Sequence, residues 1–202
     1  MFSWKTVVGG FADKIINVTN IFKGVKQNET INEVLFYGGD DEERKKQVGL
    51  NNLFCIYYII AHAGRTIDIS LPSLESDTIT KCLVDVKVKN KVNIRVAVQE
   101  SRDFCNLQNL VDSGIEVKVV KSKVKLEHEF ILIDAGHSNL DAVAILGSLD
   151  YEINRVNCCR DATFLSSEAT LVLALQREFD RVWNAEEETE LFKQFDEIEE
   201  FK

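Results

Sequence analysis

The sequence predicts an α/β protein: a mixed, mostly parallel sheet flanked by helices on both faces. Two observations carry this. From residue 31 onward, short apolar runs alternate with longer segments whose apolar residues recur at helical spacing. The junctions carry the expected stop signals, such as Gly38-Gly39, Pro72 and Gly114. Glu33-Val34-Leu35-Phe36-Tyr37 reads as the first strand. Residues 40–60 read as a helix with acids at its start (Asp41, Glu42, Glu43) and Val48, Leu53, Phe54, Ile56, Tyr57 and Ile60 on one broad face. Residues 67–71 form a strand closed by Pro72, and Asp77 caps a helix carrying Ile79, Leu83 and Val86. A strand at 92–98, a helix at 101–112 ending at Gly114, and a strand at 115–120 follow. Residues 130–133 and 143–146 are two further strands around the polar loop 135–141. A short strand at 163–165 precedes a helix at 168–183 that buries Leu171, Val172, Leu175, Phe179, Val182 and Trp183.

Two flanking segments stand apart from this 31–185 domain. Over residues 1–26, Trp4, Val7, Phe11, Ile15, Val18, Phe22 and Val25 fall on one helical stripe, with Lys5, Lys14, Lys23 and Lys26 against the single acid Asp13. Gly9-Gly10 weaken that helix by about 1 kcal/mol each relative to Ala. The stripe fits either packing on protein or weak contact with a membrane surface. Residues 186–202 hold eight acids and are expected as a solvated helix or frayed end.

The 202 residues suit one domain with one sizeable core, at 45% hydrophobic and 28% charged. A net charge of −9 excludes a global basic field for nucleic acid or anionic lipid. The five cysteines, Cys55, Cys82, Cys105, Cys158 and Cys159, include no C-x-x-C and no second adjacent pair. Reduced thiols in a cytosol-facing protein are the expectation, with no metal and no cofactor. No run of about 18 apolar residues marks a membrane span.

The candidate site lies at Glu127-His128-Glu129-Phe130-Ile131-Leu132-Ile133-Asp134, followed thirteen positions on by Gly147-Ser148-Leu149-Asp150. The spacing resembles the phospholipase D superfamily signature, H-x-K-x-x-x-x-D followed by G-S-x-N. The order of strands, from Val34-Leu35-Phe36 through Ile67-Asp68-Ile69 and Val92-Asn93-Ile94 to Ile115-Glu116-Val117, resembles the mitochondrial cardiolipin hydrolase (Zucchini) group over residues 31–185. So does the closing Glu178-Phe179-Asp180-Arg181-Val182-Trp183. The resemblance implies a phospholipase D-like fold, a homodimer that joins two motifs, and cleavage of phosphodiesters in cardiolipin or single-stranded RNA. It also implies service in piRNA production at the mitochondrial outer surface.

Set against that pattern, Glu127 stands where the nucleophilic His belongs and Glu129 where the phosphate-binding Lys belongs. The reaction needs a neutral imidazole to attack phosphorus and cations to hold its oxygens. Asp134 and Ser148 keep their places, Asp150 replaces an Asn, and Arg160 falls near a family Glu. His128 is one residue out of phase, so on a strand it faces away from its neighbours. Asp134, Ser148, Asp150 and His128 are the remaining candidates for support or ligand contact. Lys121, Lys123 and Lys125 would share a face with Glu127 and Glu129 if that segment were extended. His62 and His137 read as packing or loop residues. The expected function is a pseudoenzyme: a dimerising scaffold or regulator, as a homodimer or beside an active relative. The alternative is a phosphodiesterase with altered reagents. Single-stranded RNA or phospholipid would be partners only if the altered site still binds phosphate.

Overall fold

The computed structural model describes residues 30–38, 42–99, 104–136, 142–147, 161–185 and 189–192. The amphipathic stripe at 4–25, Ser148, Asp150, Arg160, His137 and the Cys158-Cys159 pair lie outside them. The chain divides into two compact units, Met1–Ile31 and Asn32–Lys202. Every element below belongs to the second unit.

In chain order these are β1 (Asn32–Tyr37), α1 (Glu42–Ala61), β2 (Thr66–Leu71), α2 (Asp77–Asn90), β3 (Asn93–Val98) and α3 (Phe104–Asp112). Then come β4 (Glu116–Val120), β5 (Phe130–Ile133), β6 (Val143–Gly147), β7 (Asp161–Ser166), α4 (Ala169–Trp183) and β8 (Thr189–Leu191). The strands form one sheet in the order β1-β7-β6-β5-β2-β3-β4-β8. The sheet is mixed, as expected, but its pairing is not mostly parallel. Only β2·β3 and β3·β4 pair in parallel; the other five neighbouring pairs are antiparallel. The physical reason is connection length. β2, β3 and β4 are joined through helices, which permit parallel neighbours, whereas among the described residues no helix lies between β5 and β6 or between β6 and β7. Strand direction is still biased, because β1, β2, β3, β4 and β6 all point the same way.

Side chains sort by period two onto two helical layers. Ile67 and Ile69 of β2, Ile94 and Val96 of β3, and Ile131 and Ile133 of β5 are buried toward the layer of α1, α2 and α3. The opposite face gives Ala97, Val120, Phe130, Leu132 and Ala144 to a second cluster with Val172, Phe179, Val182 and Trp183 of α4. A polar network locks α4 to that face. Arg95 donates to both oxygens of the buried Asp68 (2.8 and 2.7 Å) and reaches Asp180 at 3.4 Å. Its guanidinium lies 4.8 Å from the Phe179 ring centre and 5.5 Å from that of Trp183. The Asp68 hydrogen bonds push the Arg95 pKa up.

The caps refine the sequence reading. Ser76, not Asp77, caps α2: its Oγ accepts from Ile79 N–H, and Asp77 is the first helical residue. Gly114, at φ +77°, ends α3 as expected, with Ile115 N–H donating to Leu110 and Gly114 N–H to Val111. Within the acidic tail expected as a solvated helix or frayed end, Thr189–Leu191 instead forms β8 against β4.

Candidate functional site

In the parallel part of the sheet, β2, β3 and β4 end at one edge, and β6 and β1 end there too. β5 runs the other way, so the chain enters it at this edge. Such an edge is where open α/β sheets bind ligands. Residues 126–129 form a short arm that leads into β5 here. Leu126 is buried in the α4-side cluster, and its N–H donates to Gln99 Oε1 at 2.7 Å. The carbonyl of Glu129 accepts from Gly147 N–H at 3.3 Å, which extends the β5–β6 pairing by one step.

The arm alternates. Leu126, Phe130 and Leu132 lie in the α4-side cluster, and the His128 ring sits 5.2 Å from that of Phe130. Residues 126, 128, 130 and 132 therefore share the α4 side, and strand-like alternation would put Glu127 and Glu129 on the other. Glu127 is exposed and Glu129 half-buried. This is the arrangement the period-two reading expects of His128.

His128 is engaged at both ring nitrogens. Nε2 is 3.0 Å from Glu178 Oε1 and Nδ1 is 3.3 Å from Ser70 Oγ. Arg181 holds both Glu178 oxygens, at 2.7 and 2.8 Å. That pairing, with a lesser contribution from His128, lowers the Glu178 pKa against the opposing effect of burial. An ionised carboxylate only accepts, so Nε2 carries the hydrogen; in the neutral ring Nδ1 then accepts from the Ser70 hydroxyl. The order hydroxyl, imidazole, carboxylate is that of a serine hydrolase relay. Ser70, however, is 0% exposed, so no substrate carbonyl reaches it. The set is a structural bracket.

Asp134 sits at the other end of β5, seven residues beyond Glu127. At about 3.3 Å per residue, seven residues span at most roughly 23 Å. Its carboxylate accepts from Gly64 N–H (2.9 Å), Arg65 N–H (2.6 Å) and Thr66 N–H (2.9 Å). Its own N–H donates to Thr66 C=O at 2.8 Å, and its backbone takes φ +53°. Asp134 thus pins the α1–β2 turn to the end of β5, away from the edge that holds Glu127 and Glu129. Gly147 is the other framework residue of the motif. Its φ is +138°, and a Cβ there would come within 2.6 Å of Ala162 O on β7. Only glycine lets β6 hand the chain on to Ser148 at this spacing.

Other expectations resolve as follows. Lys121, Lys123 and Lys125 are exposed, but their segment is irregular, with Ser122 Oγ accepting from Val124 N–H at 3.2 Å. The extended strand that would give a shared face with Glu127 and Glu129 is not formed. His62 stacks on Tyr58 (ring centres 4.0 Å apart) and bonds the Tyr58 carbonyl through Nδ1. Cys55, Cys82 and Cys105 are free thiols. Burial pushes the Cys55 pKa up to about 11 and that of Cys82 to about 12, so neither is a ready nucleophile. Among the described residues no group of three His, Cys, Asp or Glu side chains could hold a metal ion, and no helix is long and apolar enough to cross a membrane. Sequence reasoning missed the roles of Ser70, Glu178 and Arg181. The available signal was Ile67-Asp68-Ile69-Ser70, a strand whose alternate positions are polar and so need partners on one face.

The sheet order, with Asp134 and Gly147 at the motif's spacing, is that of the phospholipase D-like class of α/β proteins. Nuc, a phospholipase D family member from Salmonella typhimurium, superposes with a TM-score of 0.62 at 16% identity, covering 82% of this chain and 99% of that one. NucT from Helicobacter pylori gives 0.59 at 15% identity, covering 81% and 100%. At these identities the likeness concerns the fold. Residues 56–183 match the family model described as the cardiolipin synthase, phospholipase D-like domain, and the chain belongs to that family. Mitochondrial cardiolipin hydrolase from Xenopus laevis is 21% identical over 126 residues, 60% of this chain. The chain spans 56% of that relative's length.

Proposed function

We propose that this protein is a phospholipase D-like domain that has given up phosphodiester cleavage and serves as a dimerising scaffold or regulator, paired with its twin or with an active relative. The observation that carries the reading is the identity of the two residues on the outer side of the arm. Glu127 and Glu129 occupy the motif positions where the family's chemistry needs a nucleophile and a cation. At the roughly 6.6 Å spacing of alternate residues in an extended chain, two carboxylates repel by roughly 2.5 kcal/mol at an effective dielectric near 20. A two-fold pair would bring four of them toward one phosphate. The frame, by contrast, is kept in Asp134 and Gly147, which favours retention of the fold for assembly. The name of the Xenopus relative extends the proposal to the mitochondrial surface, and the Zucchini resemblance to piRNA-linked processes there.

The test is to restore the charge pattern. The full chain carrying Glu127→His and Glu129→Lys should bind inorganic phosphate at least tenfold more tightly than the unaltered chain, by titration calorimetry. Unchanged affinity would mean that residues 127 and 129 do not line a phosphate-facing cleft. Sedimentation analysis checks the assembly: a chain that stays monomeric at tens of micromolar rules out the twin pair.

A further inference from the structure

We infer that β1 is a self-pairing edge: two copies of the chain join through Asn32–Tyr37, antiparallel about a two-fold axis at Leu35, and one sheet continues from copy to copy. This goes beyond the pairing proposed above. β1 is a lateral edge of the sheet, three strands from β5, and its pairing does not depend on what positions 127 and 129 do.

The two lateral edges differ. β8 closes one with three residues, Thr189-Glu190-Leu191. β1 ends the other with six, Asn-Glu-Val-Leu-Phe-Tyr, paired one to one with β7 and without a bulge. Proteins blunt a free edge with lysine, proline, bulges or a short strand. β1 has none of these, and Glu33 is its one charge. Val34 is 46% exposed and Phe36 68%, on one face of the strand. That face is the α4 side, because Val34 pairs with Phe164, Phe164 with Leu146, and Leu146 with Phe130. α4 packs on β6, β5, β2 and β3, and the apolar row continues through Phe164 to the exposed Val34.

The backbone of β1 is set for pairing. Gly147 N–H bonds the Glu129 carbonyl beside β5. Antiparallel alternation then turns Leu146 toward β7, Thr163 and Leu165 toward β1, and Leu35 back toward β7. Val34 and Phe36 therefore direct their N–H and C=O groups outward. The Asn52 side chain agrees, since its Nδ2 donates to the Phe36 carbonyl at 3.0 Å. That carbonyl keeps a second lone pair.

A second copy fits this edge. With the axis at Leu35, Val34 lies opposite Phe36 of the other copy, and the two exchange N–H···O=C bonds on both sides of the axis. Each exposed apolar side chain meets the other, and Glu33 meets Tyr37, so no like charges face each other. A peptide of arbitrary sequence offers no such match. Six residues a side fall short of the roughly 20–30 of a stable complex, so the pair is weak and follows concentration.

Hydrogen exchange on the full chain, from micromolar to near-millimolar concentration, tests this alongside sedimentation. The Val34 and Phe36 amides should slow at least tenfold across that range, while Ile67 and Ile94 in the central strands stay unchanged. Phe36→Lys should abolish the slowing at Val34 and leave the melting temperature within a degree or two. Should that variant fail to fold, Val34→Lys should abolish the slowing at residue 36. Amides at 34 and 36 that exchange alike at both concentrations would overturn the inference, as would slowing that survives both lysine variants. Protection already complete in the monomer would also overturn it, by showing that another part of the same chain covers the edge. A dimer that forms with these amides unchanged defeats this inference alone and leaves the pairing proposed above to another surface. A chain monomeric throughout defeats both.

Discussion

The two ends of β5 have been treated differently. At one end Asp134 keeps the motif residue and satisfies three backbone N–H groups of the α1–β2 turn. At the other end stand Glu127 and Glu129, beside the bracket of Ser70, His128 and Glu178. The comparison separates a motif into its frame and its reagents. Asp134 holds the fold whatever the site does. Motif matching alone merges the two, because Asp134 counts as a site residue by spacing yet lies at the far end of β5 from Glu127.

The sharpest way to break this division is at the frame. Asp134→Ala leaves three backbone donors without their charged acceptor, and should lower unfolding free energy by about 3 kcal/mol in urea titration. Asp134→Asn keeps one acceptor oxygen and should cost about half as much. Alanine at 134 with unchanged stability would remove the frame role. Next in size is Gly147→Ala. The added Cβ meets Ala162 O at 2.6 Å on a backbone of positive φ, so a loss of about 2 kcal/mol is expected in the same assay. By contrast, Glu127→Ala, at an exposed position, should change stability by less than about 0.5 kcal/mol.

The smallest effect is in pH. Glu178 has a folded pKa below its ordinary value, first because of Arg181 and then because of His128. A depressed carboxylate stabilises the fold above its unfolded pKa, and the stabilisation is lost as pH falls through the lower, folded value. The loss should therefore begin near the ordinary glutamate pKa of about 4.3 and continue below it. Glu178→Gln should flatten that part of the stability curve; an unaltered curve would show that the bracket contributes nothing there.

Much of the fold was legible because its strands are runs of Ile, Val and Leu, and its helices show one apolar stripe each. Pairing was less so: parallel or antiparallel neighbours depend on which strands lie side by side, which no local pattern records. β8 was hidden because Thr189-Glu190-Leu191 carries only one apolar residue and is recruited by the free edge of β4. At the site, period two gave the direction of His128. Its partners were not readable, since Ser70 and Glu178 lie 58 and 50 residues away in sequence. The Asp77 cap was displaced by one residue because Ser76, equally able to cap, precedes it.

The most direct test of the central claim is turnover. The purified full chain, given bis-p-nitrophenyl phosphate and, separately, cardiolipin vesicles, with and without divalent cations, should release no product above the buffer rate. Product release that disappears in Glu127→Ala would contradict the account and make Glu127 a working reagent of an altered phosphodiesterase.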